Sequence, residues 1–388
     1  MELDHYFYRI NQGLLSACGV WPLLSKRQKI IRRFIFFIID FSNFPPLIAY
    51  AVYNWRDADA LSDCVTFIAS YSLGIIKIST IIIQDKKIQY LFKQIQHDWS
   101  VWSSEPQVQQ LEKFAEEGKS LNFIYTVAVC TSASSYTFLT VAPQIYYLFV
   151  QRPNGTRESF LSPEEFGIDN EKHFYLILAF NNLSVWINSI IYIIVDSTYF
   201  TFVQHACGQL GAVGNRFENI KLISCNGREN NNDSLRFEEI YFCIQRYKKA
   251  LKFTSLLNDL FSVYFFLIVG ISATNLVFAS LQTVINLDKF NETVKYGNYG
   301  LLLVCLLFLN SFPAQKLMDH SSNISQNIYN SCWYEMPVSL KKSLLFALMR
   351  TSRICAINIG KFYVLSMQTF ASIVRTTVSL CMLLLSIR

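Results

Sequence analysis

Charged side chains are scarce in this sequence. Asp, Glu, Lys and Arg make up 16% of the 388 residues, whereas soluble domains carry about 25%. Hydrophobic residues make up 52%, and they fall into long uncharged runs that a water-soluble helix cannot hide. The sequence therefore predicts an integral membrane protein rather than a soluble chain of two or three domains.

The motifs of several functional classes are also missing. The ten cysteines are scattered without a CxxC pair and the five histidines do not cluster, so neither a metal site nor a disulfide framework is predicted. No carboxylate pair, nucleophile elbow or phosphate-binding loop is present, which argues against an enzyme and against a cofactor. No cleavable signal peptide is recognisable at the start, so we expect the first membrane helix to direct insertion.

Seven stretches are long enough to cross the hydrocarbon core of a bilayer, which takes about 20 residues in a helix. Polar residues fill the gaps between them, and no internal repeat is visible. The sequence thus predicts an all-α membrane protein with seven transmembrane spans, numbered 1 to 7 in chain order. They cover residues 34–54, 62–83, 121–150, 173–204, 255–286, 297–318 and 354–386.

Basic residues are sorted to one side of these spans. Of the 34 Lys and Arg residues, 24 lie in or beside the N-terminal segment and the loops after spans 2, 4 and 6, against seven in the other loops and the C-terminal tail. Because basic loops stay in the cytoplasm, this count predicts a cytoplasmic N-terminus and an extracellular C-terminus. The orientation is opposite to that of G-protein-coupled receptors, and it explains the net charge of +6 without nucleic acid.

Two glycosylation sequons fall in loops that this topology places outside. They begin at Asn154 and Asn291, and both asparagines are predicted to carry glycans. Spans 3, 4 and 5 each run about 30 residues, near 45 Å, which exceeds a bilayer core of about 30 Å. Either the helices tilt strongly or they project into the cytoplasm as a helical bundle that supports subunit contacts, which is the interpretation we favour.

Charge is costly inside a membrane span, and Lys77, Asp196 and Arg375 are three of the charged residues in the predicted spans. Lys77 is near the inner end of span 2 and is expected to extend its amine towards the boundary. Asp196 is expected to lie at the cytoplasmic boundary of span 4. The orientation of Arg375 in span 7 is left open.

The last sixty residues contain an ordered set of short motifs. CWYEMP at 332–337 precedes a basic amphipathic stretch at 341–353, which is followed by GKFYVLS at 360–366 and QTFASI at 368–373. Together they resemble the C-terminal signature of insect odorant receptors, whose inverted seven-helix topology also matches. Residues 378–382 read VSLCM where many ligand-tuned members have a Tyr-Ser-Tyr-Phe-Thr-like run. The last nineteen residues are similar to the family's shared co-receptor, but the large insertion of that co-receptor is absent, which favours a tuned subunit.

The resemblance implies a hetero-tetramer with the co-receptor, embedded in the plasma membrane of sensory dendrites. Its function would be that of an odour-gated, non-selective cation channel without a cofactor. The last helix would line the pore, with Leu383 as the narrowest apolar ring and Ser386 and Ile387 nearest the outer mouth. Such a ring closes a pore by dewetting. A gustatory-type channel of the same superfamily and, more remotely, a secondary transporter are the alternatives.

The resemblance also implies an odorant pocket in the outer half, between spans 2, 3, 4 and 6. Volatile ligands are small and mostly apolar, so aromatic side chains on shared helix faces are the candidates, with ordinary helix packing as the alternative for each. Asn182 would bind either a ligand oxygen or a neighbouring helix. The full candidate set is Phe67, Tyr71, Tyr136, Thr140, Leu178, Asn182, Trp186, Tyr296 and Tyr299.

The chain is accordingly divided into three regions. Residues 1–33 form a cytoplasmic N-terminal segment, and residues 34–330 contain spans 1 to 6 with the ligand-binding bundle and its cytoplasmic helical extensions. Residues 331–388 contain a cytoplasmic anchor helix followed by the pore-lining span 7.

Overall fold

A computed structural model describes residues 13, 16, 19, 24–150, 165–166, 172–225, 229–331 and 333–387, with the side chains of 147–150, 221–225, 229–234, 335 and 387 outside that description. Its regular elements are almost entirely helical. In chain order they are α1 (Lys26–Phe41), α2 (Phe44–Tyr53), α3 (Ala58–Ile83), α4 (Asp85–Trp102), α5 (Val108–Val150), α6 (Phe174–Cys225), α7 (Glu229–Ile285), α8 (Phe290–Tyr329), a 3-10 turn (Trp333–Glu335), α9 (Val338–Thr351), β1 (Asn358–Ile359), β2 (Tyr363–Val364) and α10 (Met367–Ile387).

Seven helical segments among the described residues are long and apolar enough to cross a membrane: α1 together with α2, then α3, α5, α6, α7, α8 and α10. The prediction of an all-α protein with seven spans is confirmed. Large apolar side chains cover the outside of several of these helices, including Phe123 and Phe138 on α5 and Val263 on α7. Such exposure suits contact with lipid or with other subunits.

The first span begins earlier than predicted and is broken in the middle. Ser25 caps α1, because its hydroxyl accepts from the Gln28 amide while the Gln28 side chain accepts from the Ser25 amide, both at 3.3 Å. This capping box starts the helix eight residues before position 34. The break at residues 42–43 precedes Pro45 and Pro46, which are tolerated only in the first turn of a new helix, here α2.

Four helices are far longer than a bilayer is thick. Helices α5, α6, α7 and α8 have 43, 52, 57 and 40 residues, so α6 alone extends about 78 Å at 1.5 Å per residue. Tilt cannot absorb that excess over about 30 Å. The helices therefore project beyond the bilayer at the predicted cytoplasmic end, as favoured above over strong tilt. Most of the residues between spans 2 and 3 and between spans 4 and 5 are helical.

Helix α6 is the centre of the projecting bundle and contacts α5, α7 and α8. Every side chain from Tyr199 to Leu210 is buried. Aromatic rings from the neighbouring helices pack edge-on against it, such as Phe92 against Phe202 at 4.9 Å and Phe261 against Tyr199 at 5.1 Å. The main hydrophobic core thus extends from the membrane region into the projection.

The stretch 354–386 is not one helix, as the sequence suggested. Its first part is a short antiparallel hairpin that pairs Asn358 with Val364 and Ile359 with Tyr363, and α10 begins only at Met367. The turn needs Gly360, whose φ of +63° disfavours other residues. Its amide donates to the Ser262 carbonyl at 2.9 Å, and its carbonyl accepts from the Ser262 hydroxyl at 2.7 Å. Hydrophobicity alone could not distinguish this hairpin from a helix.

Candidate functional site

A cavity of about 110 Å³ lies between α3, α5, α6 and α8, near the end of the bundle that is predicted to be extracellular. Cavities of about 150 Å³ in protein cores accept a benzene-sized molecule. Apolar and aromatic side chains supply most of the wall, with several small hydroxyl and amide groups among them. Its lining consists of Thr66, Phe67, Ser70, Tyr71, Val129, Ser132, Ala133, Ser135, Tyr136, Val185, Asn188, Ser189, Tyr192, Lys295, Tyr296, Asn298, Tyr299 and Leu302.

The spacing of aromatic residues along α3 and α8 explains why their side chains face the cavity together. Phe67 and Tyr71 are four residues apart on α3, and Tyr296 and Tyr299 are three apart on α8, so each pair shares a face. The ring of Tyr136 on α5 packs edge-on against Phe67 at 6.4 Å. Rings in this arrangement present both faces and edges to a ligand.

A charged group lines the outer end of the cavity, which is called its rim. The Lys295 ammonium is paired with Glu292 one turn earlier on α8 and lies 4.2 Å from the centre of the Tyr296 ring. The Tyr296 hydroxyl donates to Asp63 Oδ1 at 2.6 Å, which ties α8 to α3. The rim is therefore held by ionic and hydrogen-bonding contacts rather than by apolar packing alone.

Hydrogen bonds organise the inner end of the cavity around Ser70. The Ser70 carbonyl accepts from the Tyr192 hydroxyl at 3.2 Å and from the Asn188 amide at 3.5 Å. The Tyr299 hydroxyl accepts from Asn275 on α7 at 2.7 Å. These groups offer a ligand several donors and acceptors within an otherwise apolar chamber.

Behind this inner end, Gly74 allows two oxygen atoms to approach the backbone of α3. A Cβ atom at Gly74 would overlap Asn188 Oδ1 and lie 2.6 Å from Asp40 Oδ2. Neither Asp40 oxygen nor Asn188 Oδ1 has a hydrogen-bond partner among the described residues.

Beneath the cavity, a buried ion pair joins four helices. The Lys77 ammonium on α3 contacts Asp196 Oδ1 at 2.6 Å and Oδ2 at 2.8 Å, and the two side chains are 2% and 0% exposed. The hydroxyls of Tyr125 on α5 and Tyr264 on α7 also donate to the Asp196 carboxylate. The expectation that Lys77 extends its amine to the boundary is wrong, because the ammonium is buried and paired with Asp196 inside the bundle. The position of Asp196 at the cytoplasmic boundary stays a prediction.

Five of the nine predicted pocket residues line the cavity: Phe67, Tyr71, Tyr136, Tyr296 and Tyr299. The other four, Thr140, Leu178, Asn182 and Trp186, lie outside the lining. Asn182 donates to the Leu178 carbonyl at 2.9 Å and accepts from Thr140 at 3.2 Å, and Trp186 donates to Thr137 at 3.1 Å. Asn182 thus hydrogen-bonds to a neighbouring helix, which was the alternative to its binding a ligand oxygen. The ligand-binding role of all nine residues stays a prediction.

Sequence reasoning missed Ser70, Asn188 and Tyr192. Ser70 follows Phe67 by three residues on the same face of α3, so that spacing was an available signal. On α6 the chosen face ran through Leu178, and the structure instead presents Asn188 and Tyr192 to the cavity. Apolar residues surround α6 on all sides, so its sequence contains little periodicity that identifies a face.

The remaining predicted sites are placed as follows. Leu383 and Ser386 are exposed on α10, Ile387 ends that helix with its side chain outside the description, and Arg375 is exposed on the same helix. Asn291 is half-buried in the first turn of α8, and Asn154 lies outside the described residues. The pore and glycan assignments stay predictions.

Comparison with known proteins identifies a matching family and several related proteins. The family described as "7tm Odorant receptor" matches residues 57–378. Odorant receptor 9a of Drosophila melanogaster is 27% identical over 192 residues, which is 50% of this chain and 46% of that receptor, so the match spans about half of that receptor's length. Odorant receptor 82a of the same fly is 23% identical over 351 residues and 88% of both chains.

The solved structure of the insect olfactory receptor OR5 from Machilis hrabei in complex with eugenol superposes with a TM-score of 0.81, covering 100% of this chain and 99% of that one at 12% identity. A second structure of the same receptor superposes with a TM-score of 0.77, also at 12% identity. These structural matches establish the fold. The family match over residues 57–378 establishes to which family the chain belongs. This chain is a multi-pass membrane protein that belongs to the 7tm odorant receptor family.

Proposed function

We propose that this chain is the odorant-binding subunit of an odour-gated, non-selective cation channel in the plasma membrane of sensory neurons. It assembles with the family's co-receptor as a hetero-tetramer, with its N-terminus in the cytoplasm. The observation that carries the proposal is the cavity: a small, aromatic chamber of about 110 Å³ within a family of odorant receptors.

The lining favours a particular class of ligand. Six aromatic rings supply apolar contact area, and the groups around Ser70 and Asn188 supply hydrogen bonds. A volatile molecule of one ring or a short chain with one oxygen function fits both features. Eugenol, with which the Machilis hrabei receptor was solved in complex, is likewise a single-ring aromatic molecule, with two oxygen functions.

We expect the channel to open because the odorant binds its open and closed conformations with different affinities. An odorant that binds the open conformation more tightly than the closed one shifts the population towards the open channel. In the closed state, Leu383 of α10 forms the narrow apolar ring, and Ser386 and Ile387 lie at the outer mouth. A ring of this kind excludes hydrated ions until it widens.

The test is a current recording from cells that express the chain together with the co-receptor. A panel of small aromatic and aliphatic volatiles should evoke a cation current that depends on both subunits. Asn188→Leu should change the order of potency across the panel, whereas Trp186→Phe, outside the lining, should not. Silence across the panel with normal surface expression would contradict the proposal, and saturable uptake without current would point to a transporter.

A further inference from the structure

The buried ion pair beneath the cavity is not part of the ligand chamber, yet it contacts a residue that lines that chamber. Tyr192 lines the cavity, and the centre of its ring lies 4.8 Å from the Lys77 ammonium. Asp196, the partner of Lys77, follows Tyr192 by four residues on α6 and therefore lies one turn below it. Any displacement of the Tyr192 ring changes the surroundings of Lys77 directly.

The pair is enclosed by groups that fix its geometry. Tyr264 lies across from Lys77: its hydroxyl accepts from the ammonium at 2.8 Å and donates to Asp196 Oδ1 at 2.6 Å. Tyr125 holds the second carboxylate oxygen. Well-packed apolar residues are often as stabilising as a buried ion pair, so the burial of these charges is not by itself evidence that they stabilise the fold.

The network of Lys77, Asp196, Tyr125 and Tyr264 is also connected, through α7, to the segment that leads into α10. Ser262, two residues before Tyr264 on α7, exchanges two hydrogen bonds with Gly360 at 2.9 and 2.7 Å. Phe266, two residues after Tyr264, lies 3.2 Å from the position that a Cβ atom on Gly360 would take, and its ring packs against Phe362 at 6.1 Å. Residues two apart on a helix point to nearly opposite sides. One turn of α7 therefore contacts the ion pair on one face and the hairpin before α10 on the other.

We propose that Lys77 and Asp196 are positioning residues that couple ligand occupancy of the cavity to movement of α10. A ligand that displaces the Tyr192 ring alters its contact with the Lys77 ammonium, and Lys77 then shifts relative to Asp196 and Tyr264. The turn of α7 from 262 to 266 follows Tyr264 and carries the hairpin at 358–364 with it. This inference rests on the proposed function, because it assigns a role within odour gating.

Two variants separate coupling from folding. Tyr264→Phe removes a single hydroxyl from the network and preserves the ring. Its matched control is Tyr199→Phe, which also removes one fully buried hydroxyl, the donor to the Asn310 carbonyl at 3.0 Å, but lies outside the network. The double variant Lys77→Met with Asp196→Asn removes both charges together, which avoids leaving one buried charge without its counterpart.

The measurement is the ratio of the maximal odour-evoked current to the basal current, per receptor at the surface, in cells that also express the co-receptor. The stimulus is the most effective member of the volatile panel at saturation. We expect the ratio to fall about tenfold in the double variant, equivalent to about 1.4 kcal/mol of coupling, and severalfold in Tyr264→Phe, with Tyr199→Phe unchanged. A purely structural role would lower surface expression and leave the ratio per receptor unaltered.

The outcomes are distinct. If the double variant reaches the surface and retains the wild-type ratio, or if Tyr199→Phe loses as much as Tyr264→Phe, the coupling role is refuted while the proposed function stands. If no volatile opens the wild-type channel, the proposed function fails and this inference fails with it.

Discussion

Gly74 and Asn188 lie in contact across the interface of α3 and α6, so close that a Cβ atom on Gly74 would overlap the Asn188 side-chain oxygen. Asp40 Oδ2 would lie 2.6 Å from the same atom. The absence of a side chain at position 74 therefore brings three spans together immediately behind the cavity. The requirement for glycine at position 74 can therefore be tested by substitution.

Gly74→Ala is expected to destabilise the receptor although alanine favours helices. Overpacking of this kind costs about 1–3 kcal/mol, which exceeds the gain in helix propensity of about 1 kcal/mol. The measurement is the thermal stability of the purified protein and its amount at the cell surface. Gly270→Ala on α7 is the control, since nothing lies within 4 Å of its added Cβ, and it should match or exceed the wild type. Equal stability of both variants would show that α3 and α6 are not so closely packed.

Two asparagines on α6 should behave differently when replaced by leucine. Asn188 lines the cavity, whereas Asn182 is hydrogen-bonded to Thr140 and to the Leu178 carbonyl outside it. Loss of one hydrogen bond of about 0.5–1.5 kcal/mol predicts a change of about two- to tenfold in half-maximal concentration for oxygen-bearing odorants in Asn188→Leu. Asn182→Leu should leave the odour profile unchanged. A profile altered by Asn182→Leu alone would return that residue to the ligand site.

The apolar ring proposed at Leu383 predicts a leak when it is made polar. Leu383→Ser should increase the basal cation current severalfold in the absence of odorant, because a wetted constriction conducts hydrated ions. The control is Met382→Ser, an exposed neighbour on α10 turned about 100° away around the helix. A basal current raised equally by both substitutions, or by neither, would place the ring elsewhere.

The seven spans were predictable because long apolar runs specify membrane helices independently of tertiary contacts. The full lengths of α5 to α8 were not, since the projecting parts contain a mixed polarity that resembles that of loops. The hairpin at 358–364 depends on partners about 100 residues away, Asn258 and Ser262 on α7. Local sequence could not reveal those partners.

The cavity lining, like the fold, was predictable from the sequence only in part. Aromatic residues spaced by three or four identified the α3 and α8 faces, where one side of each helix is distinctive. The predicted face of α6, with Leu178, Asn182 and Trp186, does not line the cavity, because apolar residues on every side of α6 leave no contrast between its faces. The pairing of Lys77 with Asp196 joins residues 119 positions apart, so each appeared as an isolated charge in the sequence.

The central claim is that an odorant occupying this cavity opens the channel, and filling the cavity tests it most directly. Ala133 lines the cavity on α5 and is buried, so Ala133→Phe places a ring in the ligand space. Val127→Phe on the exposed face of the same helix is the control. We predict that odorants no longer change the current of Ala133→Phe at any concentration, whatever its basal level, while Val127→Phe responds like the wild type. A wild-type response from Ala133→Phe at normal surface expression would contradict the account.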